Sequence, residues 1–109
     1  MATWETLREL ASALPEVQHS TSYGTPACKV RGKVFARLLE DGEQVAIFTR
    51  EREALLATDP VTFTVPAHYV NYPMVVLQLS RVDDDELREL LVESWRIRAP
   101  KPLSESLWG

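Results

Sequence analysis

The chain has 109 residues, 45% hydrophobic and 26% charged, with a formal net charge of −4 at pH 7. Those values fit one globular domain with enough apolar material for a core, and the acidic balance counts against a protein whose main task is coating phosphate backbones. The single Cys28 excludes an intrachain disulfide, and no run approaches the roughly 18 apolar residues of a membrane span.

The N-terminal MATWETLREL carries acids where a secretory leader needs a basic start and an apolar run, so a reducing, cytoplasmic setting is expected. Trp4, Leu7, Leu10, Ala11 and Leu14 fall on one stripe at helical spacing. Thr3 suits the N-cap, Glu5 sits in the first turn, and Pro15 marks the end. HSTSYGTP then reads as a loop of turn formers.

Three strands follow, over 26–30, 33–40 and 43–49, separated by Arg31–Gly32 and Asp41–Gly42. Asp-Gly between apolar runs is a strong hairpin signal, because both turn positions favour positive φ. Alternation puts Cys28 and Val30 on one face of the first strand and Lys29 and Arg31 on the other. In the second strand it sets Lys33, Phe35, Arg37 and Leu39 opposite Val34, Ala36 and Leu38, which makes the middle strand the centre of a meander.

Thr49 is placed to cap a short helix, REREALLAT, which stops at Asp59–Pro60. VTFTV and MVVLQLS read as strands joined by PAHYVNYP, a loop or edge segment. The last helix has the clearest start: Val82, Asp83 and Glu86 occupy N′, N-cap and N3, and Val82 can staple onto Leu87. Leu87, Leu90, Leu91, Ser94 and Ile97 form its inward stripe, and APKPLSESLWG follows as a tail with Trp108 as its candidate anchor. The order α-βββ-α-ββ-α predicts a two-layer α+β domain over residues 1–98. An antiparallel sheet of about five strands is covered on one face by helices, and residues 99–109 are the tail.

Residue patterns for catalysis and metal binding are absent. His19 and His68 are far apart, there is no second cysteine, and no Gly-rich phosphate loop occurs, so no enzyme activity, metal or cofactor is expected. A Cys–His nucleophile pair needs Cys28 beside a histidine, whereas its strand position reads as a small core residue. His68, Tyr69 and Tyr72 either line a pocket or pack their rings on the sheet. The acids of Asp83–Glu86 are explained by capping.

The informative stretch is YGTPACKVRGKVFAR, residues 23–37, because no acid occurs from Val17 to Leu39. Lys29, Arg31, Lys33 and Arg37 are either the ordinary wet face of a hairpin or a contact surface for an anion. Their segregation from the acids at 40–43 and 83–89 favours the second. Gly24-Thr-Pro26, Gly32-Lys33-Val34-Phe35-Ala36 and Leu90-Leu91-Val-Glu-Ser94-Trp95 resemble the MmcQ/YjbR family of small bacterial proteins, from about Trp4 to Arg98. The resemblance implies a CyaY-like fold and the label of a DNA-binding protein, by likeness to a double-wing domain. Where members often carry Trp before the penultimate strand, this chain has Tyr72.

The leading expectation is therefore weak, sequence-indifferent DNA binding on the open sheet face. Lys29, Arg31, Lys33 and Arg37 would contact phosphates, and Phe35 or Tyr72 would supply apolar or stacking contact. Four neutralised phosphates imply a salt slope of about −3.6 (0.9 × 4). The alternative is an adaptor or ligand-binding module that recognises a protein or small anion with the same patch and the His68–Tyr72 loop. An iron-handling role, suggested by the CyaY-like fold, wants a row of acids on the first helix, which offers only Glu5, Glu9 and Glu16.

Overall fold

The computed structural model describes residues 2–106. Helix α1 (Trp4–Ser12) starts as its sequence requires. The Thr3 hydroxyl accepts from the Thr6 amide and the Thr6 hydroxyl accepts from the Thr3 amide, so two orphan N–H groups are satisfied reciprocally. Strand β1 (Val17–Ser22) follows, where a loop was expected. It is an edge strand with mostly exposed residues, so burial imposes no hydrophobic alternation on it.

Five further strands complete the sheet: β2 (Thr25–Val30), β3 (Lys33–Leu38), β4 (Gln44–Phe48), β5 (Phe63–Thr64) and β6 (Met74–Gln78). Their spatial order is β1-β2-β3-β4-β6-β5, antiparallel throughout. Helix α2 (Arg52–Thr58) precedes β5, α3 (Asp84–Arg98) follows β6, and Lys101–Ser106 after it forms a short helix, α4. The result is the expected α+β, two-layer arrangement with six strands. No described helix is long and apolar enough to cross a membrane. Trp108, the proposed anchor, lies outside the described residues.

The helix-facing core gathers Cys28, Val30, Phe35, Val45, Ile47, Val75 and Leu77 from the sheet against Leu7, Leu87, Leu91 and Trp95. Asp83 caps α3 by accepting from the Glu86 amide, while Val82 and Leu87 are both buried. The opposite face carries Ala46, Met74 and Val76, partly covered by Leu39, Phe48 and Tyr69. Tyr69 belongs to the 66–73 segment, which folds over the outer face.

Two sequence-level turn readings change. Asp41 does not take positive φ; Gly42 alone does, and the Asp41 carboxylate accepts from the Glu43 and Gln44 amides in a longer loop. Thr49 is not the cap of α2, since the N-cap position is Glu51 with no side-chain cap. The Thr49 hydroxyl instead accepts from the Glu51 amide at 3.0 Å and donates to Glu93 Oε1 at 2.8 Å.

The main departure lies in β3. Across the two-residue turn Arg31–Gly32, Val30 pairs with Lys33 and Lys29 with Val34. A regular ladder would next oppose Cys28 to Phe35, but Cys28 pairs with Ala36 and Ala27 with Arg37. Phe35 is thus the extra residue of a β-bulge, and both Phe35 and Ala36 are buried. The β3–β4 ladder also stops at Ala36 and Ile47. Beyond that point Ser94 of α3 bridges the strands: its hydroxyl donates to Phe35 O at 2.5 Å and accepts from the Phe48 amide at 2.9 Å.

Candidate functional site

The bulge redistributes the basic quartet. Antiparallel pairing across a two-residue turn couples odd positions to even ones, so Lys33 stands opposite Val30 rather than on the Lys29 face. Arg37 returns to the Lys29 side only because Phe35 adds a residue. Phe35 itself is fully buried against the helices and does not supply an outer apolar contact.

Two of the four cations are occupied. Arg31 forms a two-pronged pair with Glu16, Nε to Oε1 at 2.5 Å and Nη2 to Oε2 at 3.0 Å. That hydrogen bonding holds the Glu16 carboxyl below its usual range. Arg37, only 9% exposed, donates to Ser22 O at 3.0 Å, to Tyr69 Oη at 3.3 Å and to Glu40 Oε2 at 2.6 Å. Burial alone would lower its pKa, but the hydrogen bonds it donates to Glu40 and Tyr69 leave it raised. Arg31 and Arg37 are therefore held by carboxylates rather than available to phosphates. Lys29 and Lys33 make no ion pair among the described residues.

The outer face holds a recess of about 440 Å³. Lys33, Arg37 and Arg98 line it together with His68, and Tyr23, Phe48, Tyr69 and Tyr72 supply aromatic wall. No carboxylate among the described residues lines it. In a chain with net charge −4 this is a locally cationic, aromatic hollow. Of the sequence-derived candidates, Lys33, Arg37 and Tyr72 reach it, whereas Lys29, Arg31 and Phe35 do not.

Sequence reasoning missed Arg98. It sits in the last turn of α3 and reaches the gap where β3 and β4 part. Its Nε donates to Val34 O at 2.9 Å, and its guanidinium carbon lies 4.3 Å from the Phe48 ring centroid. Both terminal amino groups lack a protein acceptor among the described residues. Burial pushes its pKa down, with no acid to offset the desolvation. Nothing in the sequence marks it, because a basic residue at a helix C-terminus is ordinary.

Tyr72 is held near the recess by Arg52, whose guanidinium donates to the carbonyls of Tyr69, Val70, Tyr72 and Met74. His68 meets Tyr69 edge to face, with centroids 4.9 Å apart. The fold also brings His19 beside Cys28, Nδ1 to Sγ at 3.7 Å, with His19 Nε2 2.8 Å from the Ser12 hydroxyl. Cys28 is buried and its thiol is pushed up to about 11 by desolvation, so it is a neutral core thiol at physiological pH.

Residues 12–97 match the family model described as YjbR. The uncharacterized proteins Mb2600 of Mycobacterium bovis and Rv2570 of Mycobacterium tuberculosis are each 28% identical over 124 residues, covering 97% of this chain and 95% of the relative. In shape the chain is similar to the crystal structure of Deinococcus radiodurans protein DR2400, a DUF419 domain. That match has a TM-score of 0.78 and 21% identity, and covers 99% of this chain and 89% of the other. At that identity the likeness speaks to the fold alone.

Proposed function

The chain belongs to the YjbR family, and on that premise we propose that it is a non-catalytic binding module whose ligand is a small anion seated in the recess of the outer sheet face. Arg98 carries this reading. Its guanidinium is partly withdrawn from water, stacked on Phe48 and without a carboxylate partner among the described residues, so its terminal N–H groups are available to an anion. Its free edge presents parallel N–H donors, the geometry that suits carboxylate or phosphate oxygens. The carboxylate-free lining and the nearby Lys33 support the same choice.

A thermal-shift screen with anionic metabolites tests it. A ligand at a hundredfold excess over its Kd stabilises by about 2.7 kcal/mol, and Arg98→Gln should lose that response against its own baseline. A panel that leaves the wild type unmoved, or an Arg98→Gln variant that responds as fully as the wild type, overturns the reading.

Duplex DNA is the second reading, favoured by Lys29 and Lys33, which make no ion pair among the described residues; they leave opposite faces of the β2–β3 hairpin next to its tip, so a duplex reaches both only along that tip. With two phosphates engaged, the salt slope is about −1.8 (0.9 × 2), half the value for all four cations. Fluorescence anisotropy on a labelled duplex measures that slope. Binding unchanged in a Lys29→Ala/Lys33→Ala double variant removes this surface from consideration.

A further inference from the structure

Two largely exposed tyrosines, Tyr23 and Tyr72, line the recess. Tyr23 and Gly24 form the two-residue turn between Ser22 and Thr25, with φ of 52° and 83°. Positive φ at both positions suits Asn-Gly or Gly-Gly, and a bulky tyrosine is strained there. It gains no burial in return, being 89% exposed. Its recorded contact is the Arg37 guanidinium, 5.4 Å from the ring centroid. Tyr72, on the 66–73 segment, is 56% exposed and lines the same recess. Backbone strain retained at an exposed aromatic is a pointer to ligand contact rather than to packing.

We propose that the recess takes one aromatic or heteroaromatic ring system joined, directly or through a short linker, to a phosphate or carboxylate group, with Arg98 receiving the anionic oxygens and Tyr23 and Tyr72 stacking on the ring. This rests on the anion-binding reading above and adds the flat apolar part of the ligand. Volume supports the addition: about 440 Å³ lies in the usual range for small-molecule sites, and a bare phosphate would leave most of it to water. Chemistry supports it too. Stacking on exposed tyrosines tolerates many ring types, whereas the planar guanidinium fixes where the charge must sit.

Isothermal titration of the full chain with adenosine 5′-monophosphate, phenylacetate, adenosine and sodium phosphate separates the parts. At least one of the two ring-bearing anions should bind tenfold or more tightly than both adenosine and phosphate, and which one does so identifies the anionic group. Tyr23→Asn, which suits the turn, should melt at or above the wild-type temperature while losing at least fivefold in affinity for that anion. Phosphate binding as tightly as either ring-bearing anion overturns this proposal and leaves the anion reading standing. A stable Tyr23→Asn variant with unchanged affinity overturns it as well. If none of the four binds, both readings fall.

Discussion

Ser94 shows how much one side chain can settle. The β-bulge at Phe35 takes a carbonyl and an amide out of the β3–β4 ladder, and the Ser94 hydroxyl satisfies both by donating to Phe35 O and accepting from the Phe48 amide. Ser94 is fully buried, so water cannot substitute. Ser94→Ala leaves two polar groups unmet, each worth about 1–3 kcal/mol, and should destabilise the fold by about 2–4 kcal/mol in urea unfolding. A loss under about 1 kcal/mol would mean that the strands close the gap themselves. Phe35 makes the complementary point. As a core residue, Phe35→Ala should cost about 3–5 kcal/mol, while Lys29→Ala should stay within about 0.5 kcal/mol. Equal, small effects for both would return Phe35 to the surface where alternation first placed it.

At the scale of elements, the segment from Pro66 to Pro73 decides what the outer sheet face can bind. It has little regular structure beyond a 3₁₀ turn at Ala67–Tyr69. Its carbonyls are gathered by Arg52, one side chain projecting from α2. Arg52→Ala should therefore raise amide hydrogen exchange across 66–73 while leaving α3 and β4 protected. Exchange that rises equally everywhere would show that Arg52 supports the whole fold, not this segment. The elements also differ in how openly the sequence declares them. Helix α3 announces itself through Asp83, its acidic first turn and its apolar stripe. Strand β1 does not: it is rich in hydroxyl side chains, lies at an edge, and buries nothing fully.

For the molecule as a whole, charge is organised by neighbourhood and not by total. The acidic balance coexists with a hollow that no carboxylate lines among the described residues. Burial has a second global consequence through Cys28. Its thiol is raised from 9.0 to about 11 in the fold, so the unfolded chain gives up this proton first. Between those two values the folded state holds more protons, and stability falls as pH rises; below 9.0 the group contributes no pH dependence. Urea midpoints at the two ends of that window should drop further for the wild type than for Cys28→Ala. Parallel drops in the two proteins would place the alkaline loss in other groups.

The sequence by itself determined the α+β class, the capped helices at both ends, the two-residue turn at Arg31–Gly32 and the family resemblance, because each depends on neighbours a few positions apart. Tertiary structure decided where the charges went. Glu16 and Arg31 meet across 15 positions, Arg37 finds Ser22 and Tyr69, and Arg98 reaches Val34 across 64. Turn parity sets Phe35 on the inner face with Cys28, and the bulge then shifts alternation by one residue and returns Arg37 to the outer face. Side-chain direction in a strand has a period of two, so a single inserted residue exchanges faces, and at this insertion Ser94 of α3 supplies the hydrogen bonds that the β3–β4 ladder lacks.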